Sequence, residues 1–102
     1  MSDYTEFHGE HIRLALLKLL AGQAGYFAND SVLHQAVNAI GLSCTRDQVR
    51  GHLGWLAEMR LVTVQHAGST GQIMVATLTE RGGDAAAGRS TVAGVQRPSP
   101  TG

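Results

Sequence analysis

The sequence predicts an α+β domain, mainly α-helical with a small β-hairpin, and three observations lead there. Its 102 residues make one domain by length, with room for a modest core and none for a second folding unit. Apolar residues recur at helical spacing in three segments before Arg60. After Arg60 the spacing alternates, in two β-branched runs separated by a glycine-rich loop.

The strongest helix runs from Thr5 to about Ala21, a stretch without proline and rich in Leu, Ala, Glu, Lys and Arg. Ile12, Ala15, Leu16, Leu19 and Leu20 cover one broad face, and Leu14, Leu17 and Ala21 fall on the opposite side. That second apolar face is either covered by another segment of the chain or makes a homodimer contact. Gly22 and Gly25 end the helix, and Tyr26-Phe27-Ala28 reads as a single edge strand. Asn29, Asp30 and Ser31 are capping residue types, and Val32, Leu33, Ala36, Val37 and Ile40 repeat at helical intervals until Gly41. Thr45-Arg46-Asp47-Gln48 has capping-box spacing and opens a third helix to about Met59, with Val49, Leu53 and Leu56 inward. Only Gly41-Leu42-Ser43-Cys44 separates the second and third helices, the geometry of a helix-turn-helix.

Leu61 to Val64 and Gln72 to Leu78 then form a ribbon around the loop His66 to Gly71. Thr79-Glu80-Arg81 caps a last short helix through Ala87, weakened by Gly82 and Gly83. Residues 90–102 hold both prolines and little to bury. They are predicted to be an extended or flexible tail that orders only against a partner or the domain body, leaving 1–89 as the folded domain.

The segment Thr45 to Leu56, followed by Ala57 to Val62, resembles the recognition helix and wing entry of ArsR-like and MarR-like bacterial regulators. Leu78-Thr79-Glu80-Arg81-Gly82 is similar to the Leu-Thr-x-x-Gly segment with which such domains leave the wing. The resemblance spans roughly residues 8 to 88. It implies a winged helix-turn-helix: a three-helix core, a two- or three-stranded wing and a short C-terminal helix. The implied function is sequence-specific binding of double-stranded DNA by a dimeric transcriptional regulator, with helix 45–59 in the major groove. The whole chain, including Gly94-Val95-Gln96-Arg97-Pro98-Ser99-Pro100, also resembles small winged-helix proteins of Mu-like phages and prophages. That adds a phage-encoded role to the expectation, as a repressor or as a packaging or assembly accessory.

On such a recognition helix Thr45, Arg46, Gln48, Arg50 and Gly51 project outward. Arginine can donate two bonds to guanine O6 and N7, glutamine can pair with adenine, and Ser43 or Thr45 can reach a phosphate at the helix N-terminus. Gly51 and Gly54 permit close approach of backbone to DNA or to a packed neighbour. The alternative is that Arg46 and Arg50 are solvated, with Arg50 paired to Asp47 or Glu58. Trp55 lies off the inward stripe, so it either caps the core edge or meets a partner.

Eight Lys and Arg against eight Asp and Glu give zero net charge, which excludes binding of nucleic acid by bulk positive charge. The balance is segregated. Residues 1–10 carry three acids and no base, residues 11–60 a surplus of two bases, and residues 61–102 a surplus of one. The wing tip has no Lys or Arg, leaving Ser69, Thr70 and Gln72 as neutral donors. So few phosphate contacts predict weak binding by a monomer, and a homodimer through Leu14, Leu17 and Ala21 is the expected remedy.

The lone Cys44 excludes an intrachain disulfide framework and a multi-cysteine zinc ribbon, which suits a reducing cytoplasm. Cys44 is expected to fill the turn; the sharper reading makes it a redox sensor with a pKa lowered by the helix N-terminus. His8 and His11 are three apart but lack a third and fourth ligand, so neither metal nor other cofactor is expected. Nothing resembles a signal peptide or membrane span, and no phosphate loop, nucleophile elbow or carboxylate pair points to catalysis. A binding protein of another class remains open: a protein-interaction or phage-assembly module that does not read DNA sequence, docking a partner through helix 5–21 or the tail 90–102.

Overall fold

The structure, a computed structural model, describes residues 3–99. Along the chain run α1 (Asp3–Ala21), a 3-10 turn (Ala24–Tyr26), β1 (Phe27–Asn29), α2 (Asp30–Ala39), α3 (Arg46–Glu58), β2 (Val62–Ala67), β3 (Ile73–Leu78) and α4 (Glu80–Ala87). Four α-helices and one antiparallel sheet of order β1-β3-β2 therefore make up the described residues. Of the expected 26–28 strand, Tyr26 instead ends the 3-10 turn, and β1 runs from Phe27 to Asn29 as the third strand beside the hairpin, Ala28 facing Ala76 across β3 while Val64 faces Ala76 from the other side.

Local chemistry sets each helix start. The Asn29 side chain accepts from the Val32 amide at 2.8 Å, satisfying one of the free N–H groups of α2. At α3 the capping box is complete: Thr45 Oγ accepts from the Gln48 amide and Gln48 Oε1 accepts from the Thr45 amide. Thr79 caps α4 through a single bond, its side chain accepting from the Gly82 amide.

The core joins all four helices to the sheet. Leu16, Leu17 and Leu20 of α1 meet Leu33 and Val37 of α2, Val49, Leu53 and Leu56 of α3, and Leu61, Val62 and Ala76 of the hairpin. Two alternatives left open by the sequence are resolved here. First, α4 packs along α1, and within the chain Leu17 is fully buried and Leu14 nearly so. The second apolar face of α1 is thus covered from within the chain, and of the expected dimer residues Leu14, Leu17 and Ala21 only Ala21 is exposed.

Second, residues 90–99 belong to the body of the domain. Val92 and Val95 are buried in the core. The Gln96 amide donates to the Glu10 carbonyl, and Arg13 Nη1 donates to the Gly94 carbonyl at 2.6 Å. Arg13 also stacks over the Trp55 ring at 4.5 Å, and Gly94 approaches that ring so closely that a Cβ there would lie 2.6 Å from it. Trp55 is therefore a core-edge anchor for the C-terminal segment. The remainder of the tail, residues 100–102, lies outside the described residues.

Candidate nucleic-acid interface

With Val49, Leu53 and Leu56 buried, the geometry of a 3.6-residue helix turns Asp47, Gly51, Gly54 and Glu58 directly outward. A Cβ at Gly51 or Gly54 would meet nothing within 4 Å, so neither glycine is demanded by packing. Arg46 and Arg50 stand on the flank of this face. They do not extend freely into solvent as a recognition helix would require, because both reach the carboxylate of Asp30, whose side chain is fully buried at the start of α2.

Arg50 Nη1 lies 2.7 Å from Asp30 Oδ2, and Arg46 Nε and Nη2 each lie 3.2 Å from the same oxygen. Asp30 Oδ1 accepts from the Ser31 amide. Arg50 Nη1 also donates to the Gln72 carbonyl at 2.8 Å. One carboxylate thus ties α2, α3 and the hairpin loop together. Burial by itself would raise the Asp30 pKa, but the bond and charge of Arg46, the Met74 amide and Arg50 outweigh it and hold the carboxyl below its ordinary value. The expected partners of Arg50, Asp47 and Glu58, make no ion pair with it among the described residues.

Four of the other expected contact residues, Thr45, Gln48, Thr70 and Gln72, serve the fold as well. Thr45 and Gln48 satisfy one another in the capping box. Ser43 is exposed, and its carbonyl accepts from His8 Nε2 at 3.0 Å. At the hairpin tip Gln72 Oε1 accepts from both the amide and the hydroxyl of Thr70, so these two side chains stabilise the loop, while Ser69 remains exposed. Arg46 keeps substantial exposure, 46% of its side chain, against 28% for Arg50.

The turn before α3 is built by Asn38, whose side chain donates to the Cys44 carbonyl and accepts from the Cys44 amide, with His34 Nε2 on the same carbonyl. Burial pushes the Cys44 thiol pKa up, partly offset by Asn38. This is opposite to the lowered value a thiolate sensor needs. His8, His11, His34 and His52 are dispersed on separate partners, and no three potential metal ligands converge among the described residues. No helix of the described residues is long and apolar enough to cross a membrane.

Asp30 is the residue that the sequence reading passed over, treating it only as a capping type. The signal was present: an acid at the first turn of one helix precedes two arginines four apart on the next. Only the tertiary crossing of α2 and α3 turns that into a site.

No family model and no solved structure matches the chain. The chain is similar to the uncharacterized protein gp26 of Escherichia phage Mu, with 45% identity over 91 residues covering 89% of this chain and 91% of that protein. It is also similar to an uncharacterized protein of Haemophilus influenzae, with 39% identity over 79 residues, 78% of this chain and 74% of that one.

Proposed function

The chain belongs to the family of gp26 of Escherichia phage Mu, and within that family we propose that it is a winged helix-turn-helix protein that docks α3 on duplex DNA. Arg46 and Arg50 grip the phosphate backbone rather than reading bases, and the protein is a binder, not a catalyst. The observation that carries this reading is the buried Asp30 holding both guanidinium groups beside the bare glycine face of α3. A buried ion pair is a poor stabiliser compared with apolar packing of the same volume, but it fixes the position of two cations. Arg46 Nη1 and Arg50 Nη2 make no bond among the described residues, so each keeps donors for a phosphate oxygen. Gly51 and Gly54 cost α3 about 1 kcal/mol each relative to alanine and leave its backbone open to close approach.

This revises the contact set from base reading by Arg46, Gln48 and Arg50 to phosphate contact by the arginine pair. It fits a neutral chain, since about two phosphate contacts per protomer give weak and strongly salt-sensitive binding. Fluorescence polarisation against a mixed-sequence duplex at low salt tests it. Micromolar binding with little dependence on sequence is expected, lost in Arg46→Ala and in Gly51→Glu, which adds a carboxylate where there is open space. Absence of binding would overturn the reading.

A second reading is favoured by the carboxylates of Asp47 and Glu58 on the outward face of α3 and by the uncharged hairpin tip. In it α3 packs against a basic protein surface and the arginine pair is purely structural. It predicts no duplex binding in the same titration, with the melting temperature of Gly51→Glu unchanged.

A further inference from the structure

We propose that the solvent-facing stripe of α1 seats a second copy of this chain, antiparallel to the first about a twofold axis at His11. The inference is independent of the DNA reading. With α4 packed along α1 and Leu17 buried, a different face of the same helix still carries exposed side chains. Tyr4, Phe7, His11 and Lys18, with the nearly buried Leu14 at the step between the last two, follow alternating spacings of three and four, the pattern of a helix–helix seam. Tyr4 is 77% and Phe7 54% exposed. Their rings are organised, Tyr4 stacking on His8 and Phe7 meeting the edge of His11 at 4.4 Å.

One and two turns further along lies the complementary feature. His11, Leu14, Ala15, Lys18 and Leu19 of α1, together with Ile40 and Leu42, line an apolar groove of about 320 Å³. Ile40 at its rim is 60% exposed.

Projecting rings at one end and a groove at the other end of one face make that face self-complementary. A twofold axis midway between them, at His11, places Phe7 of each copy over the partner's Ala15 and each Tyr4 beside the partner's Lys18. Such an isologous contact satisfies both features at once. Charge selects the same arrangement. Glu6 and Glu10 lie in the first half of α1 and Lys18 in the last turn, so antiparallel helices oppose unlike ends and align favourable dipoles, whereas parallel helices put the acidic ends together. Lys18 also comes within reach of the partner's Tyr4 ring, a cation–π contact.

Sedimentation equilibrium and site-directed crosslinking test this. The wild-type chain is expected to dimerise by about 100 µM, as a modest helix-pair interface would. Phe7→Glu and Ile40→Glu should each shift the dissociation constant by tenfold or more with unchanged circular dichroism, since both side chains are exposed in the protomer. In a Cys44→Ser background, His11→Cys should crosslink to itself under mild oxidation, and Tyr4→Cys should crosslink to Lys18→Cys in a mixture but not to itself. A chain that stays monomeric, a dimer indifferent to both glutamates, or self-crosslinking at Tyr4→Cys would overturn the proposal.

Discussion

Gly82 and Gly83 are adjacent in α4 and indistinguishable by helix propensity, yet their surroundings differ. A Cβ on Gly82 would overlap the Leu61 carbonyl oxygen and come within 2.7 Å of Leu78 Cδ1, whereas one on Gly83 would sit 3.8 Å from Leu78. The Leu61 carbonyl is itself a fixed point, accepting from both the amide and the hydroxyl of Thr79. Gly82 therefore lets the first turn of α4 press onto the start of the hairpin. Gly82→Ala is expected to destabilise the protein by about 1–3 kcal/mol through overpacking, while Gly83→Ala should gain up to about 1 kcal/mol from helix propensity. Urea denaturation of the two variants checks this, and equal stabilities would contradict the close approach. In the sequence, Gly82 registered as a helix weakener and as one position of a resemblance; the physical reason for it is a backbone crossing between segments some twenty residues apart. Asp30 escaped notice for the same kind of reason.

At the level of elements, the capped helices and the hairpin were legible because their signals are local: a Thr-x-x-Gln box, a glycine after an apolar repeat, alternation around a loop. The C-terminal segment was not legible. Its hold on the body comes from two valines three apart, one backbone bond to α1 and the shared clasp of Arg13 and Trp55 on Gly94, none of which forms a periodic pattern. Ending the chain after Arg89 removes the burial of Val92 and Val95, each worth about 1.5–3 kcal/mol before the entropy of ordering the segment is charged against it. A net loss of about 2 kcal/mol is expected. The tryptophan emission should also shift to the red as Trp55 gains water. Unchanged emission and stability would mean that the segment contributes nothing to the fold. The α1 surface shows a related limit: two apolar faces can be read from periodicity, but which one α4 covers depends on tertiary packing.

For the whole molecule, zero net charge conceals two groups whose environments make stability depend on pH in the same direction. Burial lowers the His52 pKa, with the charges of Arg13 and then His8 adding to it, and its Nδ1 accepts from Arg13 Nε at 3.2 Å, so the folded state favours the neutral ring. The unfolded chain takes up that proton more readily. The stabilisation is complete above the unfolded value of 6.5 and is lost progressively as pH falls below it, towards the lower folded value. Asp30 repeats the pattern further down: its folded pKa lies below the unfolded 3.8, so its contribution is present above that value and disappears as pH falls through the folded one. Urea midpoints from pH 8 to pH 3 should fall in two steps, the first below about pH 6.5 and the second in the carboxylate range. His52→Gln, which retains an acceptor for Arg13, should flatten only the first step. Asp30→Asn should flatten its part of the second and lower stability at neutral pH by about 1–3 kcal/mol, because two partly exposed guanidinium groups lose their charged hydrogen-bond partner. A first step that survives His52→Gln would assign the acid sensitivity to another histidine and remove the Arg13–His52 contact from the account of how α1, α3 and the C-terminal segment hold together.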